Sequence, residues 1–127
     1  MKKAILITGA SSGIGASTAL LAGKLGYTVC IHYNANKGGA IEIKNQLLAK
    51  GADAAIFKAD LSKETEIHHL FNSIDNQYGG LDVLVNNAGI TLPQMKLVQM
   101  SAARIKEHFE VNTLSTILCS REAIKRM

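Results

Sequence analysis

Thr8-Gly9-Ala10-Ser11-Ser12-Gly13-Ile14-Gly15 is the stretch on which the fold of this chain turns. A short apolar run, Ala4-Ile5-Leu6-Ile7, precedes it, and a helical pattern from Ala16 to Lys24 follows. The glycines therefore stand at a strand-to-helix turn, the context that separates a phosphate-binding loop from a chance cluster. Gly9 can take backbone angles closed to residues with a Cβ. Gly13 lets a ligand's phosphates approach the main chain, and Gly15 lets the helix pack close to the sheet. N–H groups at the helix start, with the helix dipole behind them, favour a pyrophosphate. The spacing Gly-x-x-x-Gly-x-Gly is neither Gly-x-Gly-x-x-Gly nor a Walker loop, which ends in Gly-Lys-Ser/Thr. A tight turn without a ligand is the alternative that the rest of the chain has to remove.

Outward from this stretch, strands and helices alternate. Tyr27-Thr28-Val29-Cys30-Ile31 is β-branched and apolar and follows Gly26, which predicts a second strand. Ala40, Ile43 and Leu47 share one face of a second helix, from about Gly39 to Lys50, which Gly51 stops. Ala54-Ala55-Ile56-Phe57 is a third strand, closing at Asp60. Ser62 is an N-cap for a third helix, with Glu64 and Glu66 in its first turn. Ile67, Leu70, Phe71 and Ile74 form its apolar stripe, and Gly79-Gly80 ends it. Leu81-Asp82-Val83-Leu84-Val85 is a fourth strand. A loop with Pro93 follows, and Ser101 caps a long final helix towards Met127, with Ile105 and Phe109 on its inner face. The order predicts an α/β fold: a Rossmann-like doubly wound parallel sheet in a three-layer sandwich, with strand order 3-2-1-4. Ligands of such sheets bind beyond the carboxyl ends of the strands, at the switch point between strands 1 and 4. Gly9 to Gly15 and Asn86-Asn87-Ala88-Gly89 both belong at that crevice.

Composition narrows the function classes. At 127 residues the chain fits one domain, and 47% hydrophobic with 19% charged residues suits a globular protein. It has no apolar run long enough to span a bilayer. Met1-Lys2-Lys3 looks like the start of a signal peptide, but the apolar run behind it ends at Thr8, so it reads as a first strand. The net charge of +4 is scattered, with no basic stripe interleaved with aromatics, so neither a nucleic acid nor a membrane is an expected partner. Cys30 and Cys119 form no motif and read as reduced core residues of a cytoplasmic protein. No metal site is expected: His68 and His69 are adjacent and point to different helix faces. His108 shares a face with Asn112, and a solvated or hydrogen-bonded imidazole is its reading.

Taken together, Thr8-Gly9-x-x-x-Gly13-x-Gly15, Asp60-Leu61, Asn86-Asn87-Ala88-Gly89 and Val111-Asn112-Thr113 make the chain resemble the short-chain dehydrogenase/reductase family, in family order and with family-like spacing. The likeness covers the whole chain. The run Val29 to Asn34 looks closest to the oxoacyl-carrier-protein reductase and glucose-dehydrogenase-like subgroup. The resemblance implies an NAD(P)-dependent oxidoreductase that passes hydride between a nicotinamide and a carbonyl or alcohol. It implies that Gly9, Ser11, Ser12, Gly13, Ile14 and Gly15 hold the phosphates. Asp60 and the Leu61 N–H would meet the adenine. Asn87, Ala88 and Gly89 would pass beside the nicotinamide ribose, with Val111 among the cofactor-binding residues and Asn86 bracing the sheet. Asn112 would be the catalytic residue, holding a water of the family's proton relay.

The family's reactive Ser and Tyr-x-x-x-Lys lie beyond Asn112, after a fifth strand. This chain reaches Met127 first, so residues 1–127 read as the N-terminal dinucleotide-binding part of a single domain, inactive alone. One match, Tyr33-Asn34-Ala35-Asn36-Lys37, follows strand 2 beside the adenosine ribose, far from where hydride moves, and is not the catalytic pair. The resemblance also implies a homodimer or homotetramer through helix 101–127. A non-catalytic dinucleotide-binding module remains the alternative.

The residues after strand 2 bear on which dinucleotide binds. An NAD site usually places Asp or Glu there to hold both ribose hydroxyls. Here stand His32, Tyr33 and Asn34, with no carboxylate until Glu42. A 2′-phosphate would meet no fixed negative charge. Lys37 can pair with it, and Asn34, Asn36 and Ser11 can donate hydrogen bonds. Ser12 stands where many NADP-using relatives carry Arg, and Lys is the less specific clamp. The balance favours NADP over NAD.

Overall fold

Alternation along the strands sorts the apolar side chains into two layers, one on each side of a parallel sheet. The structure is a computed structural model that describes residues 2–90 and 94–127. The loop expected around Pro93 lies outside the described residues. Strands β1 (Ala4–Ile7), β2 (Thr28–Tyr33), β3 (Ala54–Lys58) and β4 (Val83–Val85) pair in the order β3-β2-β1-β4. All pairings are parallel, with Ile5 between Val29 and Val83. Helices α1 (Gly13–Lys24), α2 (Lys37–Ala49) and α3 (Glu64–Tyr78) supply the crossovers. After β4 come a short 3-10 turn (Leu97–Gln99), α4 (Ala102–Phe109), a π-helical turn (Glu110–Leu114) and α5 (Ser115–Ile124).

Ile5 and Ile7 of β1 and Val29 and Ile31 of β2 face α1 and α2. Ala4, Leu6 and Cys30 face the opposite layer with Ile67, Phe71 and Ile74 of α3 and Cys119 and Ala123 of α5. Both sheet faces are thus covered, as parallel sheets require. The buried face of α1 is Gly15, Ala16, Ala19 and Ala22, all small, which lets the helix lie close to the strands. Cys30 and Cys119 are free and buried, and burial pushes their thiols up to about 12 and about 11.

α5 is tied to α3 by charge as well as packing. The Arg126 guanidinium donates to both Asp75 carboxylate oxygens, at 3.0 and 2.8 Å, and lies 5.2 Å from the centre of the Phe71 ring. Glu122 is buried and meets Lys125 at 3.0 Å, Arg121 at 3.2 Å and His68 at 3.3 Å. Burial pushes its pKa up, but these cations outweigh burial and hold it at about 2.

Four local expectations change. Ser62 does not cap α3, because its N–H and hydroxyl both donate to Asp60 Oδ1, at 3.0 and 2.7 Å. Lys63 takes the cap position instead, and Glu66 reaches back to accept the Asp60 N–H at 2.9 Å. Residues 81–82 fall outside β4: the Asp82 carboxylate accepts the Ala4 N–H at 2.8 Å, and its own N–H donates to Ala4 O. Ser101 does cap the last helical stretch, accepting the Arg104 N–H at 3.1 Å, but the stretch is not one regular helix. In the π turn the Ser115 N–H reaches Glu110 O, five residues back, and the Ser115 hydroxyl donates to the Val111 carbonyl. Finally, Ile105 and Phe109 are not on an inner face, since α4 buries none of its residues and both side chains are exposed.

Candidate functional site

The two stretches that sequence placed at the switch point meet through Thr8. Its N–H continues the ladder to Val85 O, and its hydroxyl accepts the N–H groups of Asn87 and Ala88 at 3.0 and 2.9 Å. Asn87 answers with its amide nitrogen, which donates to Thr8 O and Gly9 O at 3.0 Å each. Bracing between the two strand ends is therefore the work of Asn87. Asn86, expected in that role, points outward and donates to the Ser120 hydroxyl at 3.0 Å. Successive residues at a strand end face opposite sides, and only Asn87 faces the gap.

The glycines divide their duties as the close approaches dictate. Gly9 has φ +64°, and a Cβ there would stand 2.9 Å from Ala88 Cα. A Cβ on Gly15 would run into the Asn87 amide nitrogen and Gly9 O. Gly13 has φ +58°, but a Cβ there would meet nothing within 4 Å. Space above Gly13 is open, and Ser12, Gly13 and Ile14 around it are exposed. Ser12 makes no side-chain cap and the first turn of α1 has no acidic residue. Its N–H groups are therefore left to an acceptor from outside the helix. An open cradle, a bare helix start and no carboxylate nearby fit the pyrophosphate of a dinucleotide.

On the far side of the loop, Asn36 closes the gap to α2. Its Oδ1 accepts the Gly39 N–H at 3.0 Å, while its Nδ2 donates to Ser11 O at 3.5 Å. Asn36, expected as a donor to a phosphate, is thus engaged as a helix cap and a latch on the loop. Asn34 and Lys37 are exposed, Lys37 at the first position of α2. Tyr33 lies in the α1–α2 core layer, with 6% exposure, and its carbonyl accepts the Ala59 N–H at 3.1 Å. Leu61 is buried in the other layer. Asp60 is half-buried, and the Ser62 hydroxyl and amide hold its carboxyl below the usual range.

Asn112 sits inside the π turn, with Val111 half-buried before it. Its Oδ1 accepts the Ile90 N–H at 2.7 Å and its Nδ2 donates to Ile90 O at 3.0 Å. A Cβ on Gly89 would stand 3.2 Å from the same Oδ1. Both polar atoms of the Asn112 side chain are therefore clamped to the chain that follows Gly89. This grip brings the helix turn of Val111 and Asn112 to the end of Asn87-Ala88-Gly89.

Two residues of the site escaped sequence reasoning. Thr8 was quoted with the glycines but given no role, and a Thr directly before the first glycine is the signal that could have found it. His32 is 2% exposed. The Gly9 N–H donates to its Nδ1 at 2.9 Å, and its Nε2 lies 2.8 Å from Ala59 O. Nothing local to a histidine in an apolar strand marks that contact. Among the described residues no cluster of side chains could hold a metal ion, and no helix is long and apolar enough to cross a membrane.

Comparison with known proteins agrees with this geometry. The profile of the family described as short chain dehydrogenase matches residues 3–127. An uncharacterized oxidoreductase of Escherichia coli K12, YgfF, is 41% identical over 96% of this chain and 49% of its own length. The 3-oxoacyl-(acyl-carrier-protein) reductase FabG of Staphylococcus aureus is 35% identical over the whole chain and 51% of its own length. The crystal structure of a dehydrogenase/reductase from Sinorhizobium meliloti 1021 superposes with a TM-score of 0.94 at 28% identity, over 98% of this chain and 49% of that one. The chain thus spans about half the length of the curated relatives it matches. With the profile matched along its length and the loop, the strand-4 motif and the parallel sheet all in place, the chain belongs to the short-chain dehydrogenase family.

Proposed function

We propose that residues 1–127 are the N-terminal dinucleotide-binding part of an oxidoreductase domain that moves hydride between a nicotinamide cofactor and a carbonyl or alcohol, with NADP as the cofactor. The observation that carries this reading is the open cradle at Gly13 over the uncapped start of α1. When bound, the cofactor supplies the hydride chemistry. This chain's residues bind and orient it. The amides from Ser11 to Gly15 face the pyrophosphate, Asp60 and the Leu61 N–H take the adenine, and Asn87, Ala88 and Gly89 line the ribose on the nicotinamide side. Val111 and Asn112 border that end. The Asn112 side chain serves by fixing the Ile90 backbone rather than by holding water directly. No Tyr-x-x-x-Lys follows Asn112 within residues 1–127, and the substrate is left open.

The NADP preference rests on the absence of a carboxylate after β2 and on Lys37, exposed at the start of α2. Electrostatic repulsion of a 2′-phosphate is removed, and one cation is within reach along the chain. The exposed apolar side chains Phe109, Ile117 and Ile124 support assembly of two or four copies through helix 101–127. A second reading, a dinucleotide-binding module without catalysis, draws on the engagement of the Asn112 amide with Ile90. Calorimetry with NADPH and NADH on the full-length protein and on Lys37→Ala tests the proposal, alongside turnover of carbonyl substrates. Tighter NADPH binding, lost selectively in the variant, is the expected result. No binding of either cofactor refutes it, and binding without turnover favours the module.

A further inference from the structure

His32 stands at the end of β2 with its ring wedged between the first glycine of the loop and the end of β3. A carbonyl can only accept, so the 2.8 Å contact to Ala59 O makes Nε2 the protonated nitrogen. Nδ1 is then the acceptor for the Gly9 N–H at 2.9 Å. The next amide, Ala10 N–H, donates to the backbone carbonyl of His32 at 2.9 Å. Two consecutive amides of the glycine loop are therefore held by one residue of the neighbouring strand. Asn87 holds the same loop from the other side through Thr8 O and Gly9 O. Only the neutral Nε2–H ring can play this part. A protonated ring would point an Nδ1–H at the Gly9 N–H, donor against donor.

We infer that His32 is a positioning residue of the glycine loop, and that its neutral ring holds Gly9 in the conformation that binds the cofactor. The inference rests on the dinucleotide reading above. Titratable groups on the elements around the ring include Cys30 and Tyr33 of β2, Lys58 of β3, Asp60 and Glu66 beyond it, Cys119, Arg121 and Glu122 of α5, Lys24 of α1, and Lys37, Glu42 and Lys44 of α2. None of them hydrogen-bonds the imidazole, and Thr8 to Gly15 has no titratable side chain. Burial lowers the proton affinity of the ring, opposed only by the bond to Ala59. Loop and ring are thus coupled directly, with no other ionisable group between them.

Selective ¹⁵N labelling of histidine in the full-length protein reads the ring by NMR without any ligand. A neutral His32 protonated at Nε2 is the expected result at neutral pH. A charged ring or the opposite tautomer overturns the inference. The functional arm uses NADP⁺ as the probe in calorimetry, on wild type, His32→Asn and His32→Gln. Asn keeps an acceptor at the Nδ1 position and does not titrate, whereas Gln reaches towards Ala59 but offers Gly9 nothing. His32→Gln is expected to weaken binding about tenfold, and His32→Asn to stay within about twofold of wild type. The 2′-phosphate titrates in the same range, so pH dependence is read against His32→Asn. As pH falls below 6.5 and through the lowered range of the buried ring, wild type should lose more affinity than His32→Asn does. Failure of wild type to bind NADP⁺ or NAD⁺ overturns the cofactor reading and this inference with it. Binding that neither His32→Gln nor acid weakens beyond His32→Asn overturns the inference alone. Should His32→Gln fail to fold, the ring tautomer and the wild-type comparison with His32→Asn still decide.

Discussion

Every residue of β2 is buried, while every residue of β4 is only half-buried, although both strands pair in parallel with β1. The helices repeat the contrast. α3 buries Ile67, Leu70, Phe71 and Ile74, whereas α4 buries nothing and Phe109 is 62% exposed. The β1-β2-β3 side has a helix layer on each face and closes its own core. β3 and β4 are both edge strands among the described residues, but β4 is itself only half-buried, and Phe109, Ile117 and Ile124 of the helical stretch after it are exposed. Strand edges and contiguous apolar surfaces are liabilities that proteins cover. The lesson is that the end proposed to hold the cofactor's phosphates is built on a core closed by its own helices, while the end towards β4 leaves apolar surface open. The match to about half the length of its relatives agrees with that.

The largest expected effect separates the two phenylalanines. Phe71→Ala removes a fully buried ring and the partner of Arg126, and should cost about 3–5 kcal/mol in denaturant unfolding of the full-length protein. Phe109→Ala should cost about 1 kcal/mol or less of subunit stability. Equal losses would erase the contrast. Next come the glycines. Gly15→Ala drives a Cβ into the Asn87 amide and Gly9 O, and should destabilise the fold by about 1–3 kcal/mol. At Gly13 a Cβ meets no protein atom within 4 Å, though φ +58° strains any side chain there, so for Gly13→Val the expected loss is chiefly in cofactor affinity, at least about tenfold by calorimetry. Unchanged affinity in Gly13→Val would remove the phosphate assignment.

At the open side, Phe109→Glu should halve the particle mass seen by light scattering if helix 101–127 is the contact between copies. An unchanged mass would assign that face to further chain of the same subunit. The smallest effect is acid sensitivity. The pKa of Glu122 is depressed to about 2 from 4.5, so its contribution to stability is complete above 4.5 and is lost as pH falls towards 2. His32 is also depressed, from 6.5, so its neutral form favours the fold above 6.5 and loses ground as pH falls below that. Urea midpoints measured across this range should decline in acid, and Glu122→Gln should flatten the part below 4.5. A variant with the same acid profile as wild type would show that the cations around Glu122 do not stabilise its charge.

Strand order, parallel pairing, the two core layers and the glycine loop could all be read from residues in line. Their causes are local: period-two alternation, apolar stripes at helical spacing, and glycines where a turn needs them. Contacts between strand ends were not legible in the same way. Gly9 and His32 are 23 residues apart, and Thr8 and Asn87 are 79 apart. Which of Asn86 and Asn87 faces the gap depends on the pleat of β4 beside β1, not on either residue's type. Ser62 was misplaced as a cap because its side chain turns to the Asp60 carboxylate in a local turn and α3 starts one residue later, with Lys63 at the cap position. The regular helix expected after Ser101 gave way to a π turn where Asn112 grips Ile90 and the Ser115 hydroxyl donates to Val111 O. Period and composition dictated the layers, because burial acts on every apolar residue alike. Directed hydrogen bonds between distant residues settled the site, because their partners become neighbours only when the sheet is assembled.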